Sequence, residues 1–106
     1  MERVHRSLSE VLTKMRQRTA KVNGCWLYLG ATNANGYGQI WFKGQRTYVH
    51  RLSAHANLGL DLSDWSKKAL HKPECPNRNC WNPEHLYVGT SKDNYRDLRN
   101  KFASTL

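Results

Sequence analysis

Three cysteines and one histidine constrain this chain more than any other feature. Cys75, Cys80 and His85 lie in one loop, each separated from the next by four residues, and the loop is otherwise rich in Pro and Asn. Cys25 is the only other cysteine. An odd cysteine count leaves one thiol over in any disulfide scheme, whereas a Cys3His metal site uses all three with one imidazole. The alternative is three buried, reduced cysteines and a surface histidine, but two of those cysteines sit where there is little apolar core to join. The spacing therefore predicts a structural Zn2+ held by Cys25, Cys75, Cys80 and His85. Cys25 would tie a distant strand to the loop, closing about fifty residues at modest entropic cost.

A chain of 106 residues with 39% hydrophobic residues is expected to form one domain with a small core, which a metal clip would reinforce. Lys and Arg number 17 against 8 Asp and Glu, a formal charge of +9, so the expected partner is a polyanion. No apolar run approaches the roughly 20 residues that span a bilayer, so no membrane partner is expected. The start, Met1-Glu-Arg-Val-His-Arg, lacks the apolar stretch of a signal peptide. The expected compartment is the cytoplasm, where cysteines favour metal over disulfides.

Ser7-Leu-Ser-Glu10 reads as a capping box ahead of Leu8, Val11, Leu12 and Met15 at helical spacing, which predicts a helix from about Leu8 to Thr19. Its Lys14, Arg16 and Arg18 form either a solvated face or a phosphate contact. Strand-like runs at Cys25–Leu29, Tyr37–Phe42 and Gln45–Val49, separated by turn residues, predict a three-stranded antiparallel meander. Its polar residues Lys43, Gln45 and Arg46 could enter a DNA groove. Val49 to Leu58 reads as a short helix stopped by Gly59. Two more strands, Lys68–His71 and His85–Val88, flank the Cys-rich loop, and Tyr95, Leu98 and Phe102 mark a closing helix over about 91–104.

Leu70-His71, then Cys75, Cys80-Trp-Asn-Pro-Glu-His85-Leu and then Asn94, resembles the motif of HNH endonucleases. The similarity is to the zinc-containing phage-type members and to the His-Cys box homing endonucleases. Cys25-Trp, Gly36-Tyr-Gly38 and Tyr48-Val-His-Arg-Leu52 also look like these enzymes. The resemblance covers about residues 24–94 and leaves residues 1–22 as a helical extension. It implies an α+β chain: a ββα-metal motif with a zinc-bound loop, preceded by the meander and the N-terminal helix.

The resemblance implies a metal-dependent endonuclease that hydrolyses phosphodiester bonds of double-stranded DNA. By position, His71 matches the general base, Asn82 a loop-bracing residue that helps orient it, and Asn94 the ligand of a catalytic Mg2+ or Mn2+. Cys25, Cys75, Cys80 and His85 match the zinc site of the His-Cys box group. Leu70 stands where many of these enzymes carry an acidic second metal ligand, which points to that same group, whose metal is held largely by one asparagine. The chemistry is consistent with the residue types, since a neutral imidazole can take a proton from water at physiological pH.

His50-Arg51 also has a counterpart in the family. Arg51 could contact the scissile phosphate, or the pair could cap a helix and brace the core. His5 and His55 are assigned no function. With one site per chain a monomer is expected to nick, while a homodimer could cut both strands of a near-palindrome. The other readings are a non-catalytic zinc-stabilised DNA-binding module, and an RNA-directed protein in which Tyr37, Trp41 and Tyr48 stack on unpaired bases.

Overall fold

A computed structural model describes residues 7–90 and Lys92. Two helices and six strands are described, in the order α1 (Leu8–Gln17), β1 (Thr19–Val22), β2 (Cys25–Tyr28), β3 (Gln39–Phe42), β4 (Gln45–Tyr48), α2 (Val49–Leu58), β5 (Lys68–His71) and β6 (Leu86–Gly89), with one 3-10 turn at Pro83–His85 before β6. The architecture is small α+β, built on three antiparallel strand pairs, β1–β2, β3–β4 and β5–β6. The expected closing helix, Asn94 included, lies outside the described residues.

α1 begins where its capping box places it, with the Ser7 hydroxyl accepting from the Glu10 amide at 3.3 Å. It stops at Gln17, two residues short of the expected end, because the chain turns into β1. The segment before Gly24 is thus a helix followed by a strand, where a helix alone was expected. Val22-Asn23-Gly24-Cys25 is a tight hairpin: Asn23 at φ 52° and Gly24 at φ 81° both take the left-handed conformation that two-residue turns require. Lys43 (φ 49°) and Gly44 (φ 77°) do the same between β3 and β4.

The expected three-stranded meander is not formed. β2 pairs with β1 on one edge, and the Cys-rich loop takes the other: Tyr28 N–H donates to Asn79 O at 3.0 Å and Trp81 N–H to Trp26 O at 3.0 Å, with a bridge between Leu27 and Cys80. A strand edge has one row of donors and acceptors, so once the loop satisfies it β3 has nowhere to pair. β3 and β4 form a separate hairpin.

The main core gathers Val11 and Met15 from α1, Tyr28, Ile40 and Phe42 from the strands, Val49 and Leu52 from α2, and Trp81 from the loop. Trp81 is anchored at both ends. Its indole N–H donates to the Thr19 hydroxyl at 2.9 Å, and its carbonyl accepts from the Ser53 hydroxyl at 2.7 Å. Gly38 is required by close approach, since a Cβ there would lie 2.8 Å from the buried ring of Tyr28. α2 ends at Gly59, in the left-handed conformation expected of it.

Candidate metal centre and cleft

The β5–β6 loop brings the four metal-ligand candidates together. Cys25 enters from the start of β2, Cys75 and Cys80 from the loop, and His85 from the 3-10 turn, and their ligand atoms all lie within 4.8 Å of one another. His85 Nδ1 stands 3.6 Å from Cys25 Sγ and 3.5 Å from Cys80 Sγ. Bond lengths of about 2.3 Å to sulfur and 2.0–2.1 Å to nitrogen give a tetrahedral S···N edge of about 3.5 Å, so these separations fit one ion. The three cysteines are free thiols and buried. Burial pushes the Cys80 thiol up to about 12 and raises that of Cys75. Desolvated sulfur of this kind ionises only when a cation compensates it. The group could therefore hold a metal such as zinc, as the spacing predicts. The Asn77 amide donates to Cys25 Sγ at 3.3 Å and orients that thiol.

Cys80 faces two ways. Its sulfur joins the cluster, while its carbonyl lies 2.9 Å from Nε2 of His71 at the end of β5. A carbonyl only accepts, so Nε2 carries the proton, and Nδ1 is left as the ring's acceptor. Burial lowers the His71 pKa, so the ring is neutral near pH 7. Asn82, buried, braces the loop as expected: its amide donates to Gly24 O at 2.7 Å and its oxygen accepts from Glu84 N–H at 3.0 Å. It does not reach His71, whose orientation comes from the Cys80 carbonyl and from packed rings.

Those rings were not legible in the sequence. His50 stacks on His71 with centroids 5.1 Å apart and an interplanar angle of 23°, and Tyr37 stacks on His50 at 5.2 Å. The Nδ1 of His50 is buried without a hydrogen-bond partner among the described residues, and burial lowers its pKa to about 3, so it stays neutral beside His71. His50 sits in the first turn of α2 and Tyr37 in the loop before β3, and packing of α2 against β5 brings the His50 ring to His71.

His71 lines an open cleft of about 620 Å³ whose other walls include Lys68, Lys72, Arg78, Tyr37, Tyr48 and Trp65. Among the described residues no carboxylate lines it. Arg51 borders the cleft, but its guanidinium is committed inward, donating to the carbonyls of Lys67 (2.7 Å), Asp64 (3.0 Å), Leu62 (3.1 Å) and Asp61 (3.4 Å). The catalytic and DNA-contacting roles suggested for Arg51 are corrected accordingly. It is 4% exposed and clamps the 60–67 connector, the bracing role, because a buried cation must take every acceptor it can reach. Lys43, Gln45 and Arg46 are exposed on the β3–β4 hairpin and do not line the cleft.

Among the described residues, no helix is long and apolar enough to cross a membrane. Two phage proteins resemble the chain. Protein 2.8 of Escherichia phage T7 is 43% identical over 81 residues, covering 74% of this chain and 52% of that protein. Protein 7.7 of the same phage is 32% identical over 77 residues, covering 73% of this chain and 56% of that protein. The chain thus spans about half the length of the curated relatives it matches. No family model and no solved structure matches it.

Proposed function

We propose that the chain is an endonuclease of the HNH type, with a structural zinc at Cys25, Cys75, Cys80 and His85, that hydrolyses phosphodiester bonds in double-stranded DNA. The observation that carries this reading is His71, a neutral imidazole whose Nε2 is held by the Cys80 carbonyl, on an open cleft lined by cations and, among the described residues, by no carboxylate. The antiparallel pair β5–β6, with the Cys-rich loop between its strands, would correspond to the two strands of a ββα-metal motif, whose expected helix over about 91–104 lies outside the described residues.

In this mechanism Nδ1 of His71 takes a proton from water, the water oxygen bonds to phosphorus, and the bond to the 3′ oxygen breaks, the leaving oxygen taking a proton from solvent to become a hydroxyl while His71 returns its proton to solvent. Cys80 fixes the tautomer that makes Nδ1 the base, and His50 and Tyr37 hold the plane of the ring. Lys68, Lys72 and Arg78 bind the flanking phosphates. Asn94 would hold a Mg2+ or Mn2+ ion, which supplies neutralisation of the charge growing on phosphate and leaving group. Lys43, Gln45 and Arg46 would meet the duplex on the separate β3–β4 ribbon, whose shape suits a major groove.

The test is nicking of supercoiled plasmid with and without Mg2+. The reading expects Mg2+-dependent nicking by the parent chain and none by His71→Ala of equal zinc content. Strong DNA binding without cutting by either would favour a non-catalytic zinc module. Sedimentation on a cut near-palindrome would tell a nicking monomer from a homodimer.

A further inference from the structure

Trp65 is 69% exposed, a large indole that the fold holds at the rim of the His71 cleft without burying it. The connector beneath it is rigid. Arg51 lies 4.3 Å from the centre of the Trp65 ring and donates to carbonyls on both sides of it, at Asp64 and Lys67. The adjacent carboxylates are turned into the connector: Asp61 accepts from the Ser63 amide at 2.9 Å, and Asp64 from the Ser66 amide at 3.0 Å. A buried cation thus fixes the indole in place. The other indole exposed to a similar degree, Trp41 at 59%, lies on β3 away from the cleft, paired with Arg46.

A fixed aromatic ring beside cations and an imidazole on the same cleft matches the surface that holds unpaired bases, in which the backbone follows positive charge and a base lies on the ring. The cleft, about 620 Å³, is within the roughly 300–1,000 Å³ that small-ligand sites span. A base in an unbroken duplex is stacked on its neighbours and must be drawn out at a cost, which is least where it is already bulged or mismatched.

We propose that Trp65 is the stacking platform for one unstacked nucleobase beside the phosphate that His71 faces, so that the preferred substrate is DNA carrying a bulged or unpaired nucleotide. This rests on the endonuclease reading for the identity of the phosphate, but its binding arm can be read without cutting.

The experiment measures fluorescence anisotropy of three labelled DNAs of one sequence, a perfect duplex, the same duplex with a one-nucleotide bulge, and the single strand, and of the matching RNA single strand, without added Mg2+. Parent, Trp65→Phe, Trp65→Leu and Trp65→Ala chains of equal zinc content are compared, followed by cleavage with Mg2+. The parent should bind the bulged duplex more tightly than the perfect one. Trp65→Ala and Trp65→Leu should lose about fivefold or more on the bulged DNA, little on the perfect duplex, and Trp65→Phe should keep most of the preference. Equal parental affinity for bulged and perfect duplex, or an equal loss in the Phe and Leu variants, would overturn the platform. A bulge preference without any Mg2+-dependent cleavage would leave the platform standing and overturn the nuclease reading. Tighter binding of the matching RNA single strand than of any DNA would overturn the assignment to DNA.

Discussion

One loop serves two sites of opposite character. On one side it closes around Cys25, Cys75, Cys80 and His85, buried soft ligands whose atoms converge within 4.8 Å. On the other it opens onto the His71 cleft, where a single imidazole is oriented by a backbone carbonyl and the walls carry Lys68, Lys72 and Arg78. The closed site is specified by side-chain type, and any chain that brings those four groups together has it. The open site is specified by placement: a histidine with the same side chain elsewhere on β5 would have no fixed tautomer. Cys80 couples the two, since moving its sulfur moves its carbonyl.

The largest effect should come from breaking the closed site. Chelation should unfold the chain, because structural zinc in small domains contributes about 10–16 kcal/mol of apparent binding energy, more than a domain's whole stability. Circular dichroism on titration with a chelator, and metal analysis of Cys80→Ser, check this. A fully folded, metal-free Cys80→Ser would separate the two sites and break the coupling.

Breaking only the open site should leave the closed one intact. On the proposed nuclease reading, His71→Ala should cut more slowly by about 10²–10⁴-fold with unchanged zinc content and DNA affinity, since general-base catalysis is worth that factor. Single-turnover cleavage beside binding isotherms is the measurement.

Arg51 tests the wall of the cleft rather than its chemistry. Arg51→Met should cost about 2–3 kcal/mol of unfolding free energy, because it strips the connector carbonyls of Leu62, Asp64 and Lys67 of their charged donor. Denaturant titration should show that loss, and affinity of the folded fraction for perfect duplex DNA should change little.

His50 gives a smaller, pH-dependent effect. Its folded pKa of about 3 lies below the unfolded value near 6.5, so the unfolded chain binds the extra proton and stability falls as pH drops from 6.5 towards 3. Between pH 7 and pH 5 the parent should lose about 2 kcal/mol that His50→Phe does not lose. Parallel denaturant titrations at the two pH values isolate the difference, since metal release on acidification is common to both chains.

The smallest effect concerns the cations. Lys68→Ala and Lys72→Ala should each reduce the slope of log affinity against log salt by about 1 if each meets one phosphate of the duplex. Fluorescence anisotropy over a salt series measures it, and unchanged slopes would remove the cleft from the DNA path.

What the sequence determined by itself is local or compositional. The capping box starts α1, Gly59 ends α2, and Asn23-Gly24 is a local hairpin signal that the β1–β2 turn uses. The Cys3His group was legible because soft ligands in a polar loop have few other uses. Only the tertiary structure decided which edge β2 offers to the loop, that Arg51 turns inward, and that His50 and Tyr37 stack on His71. Those outcomes depend on competition for partners between segments far apart in the chain. A strand edge, a carbonyl or a ring face goes to whichever group packing brings nearest, and local residue patterns carry no record of that contest.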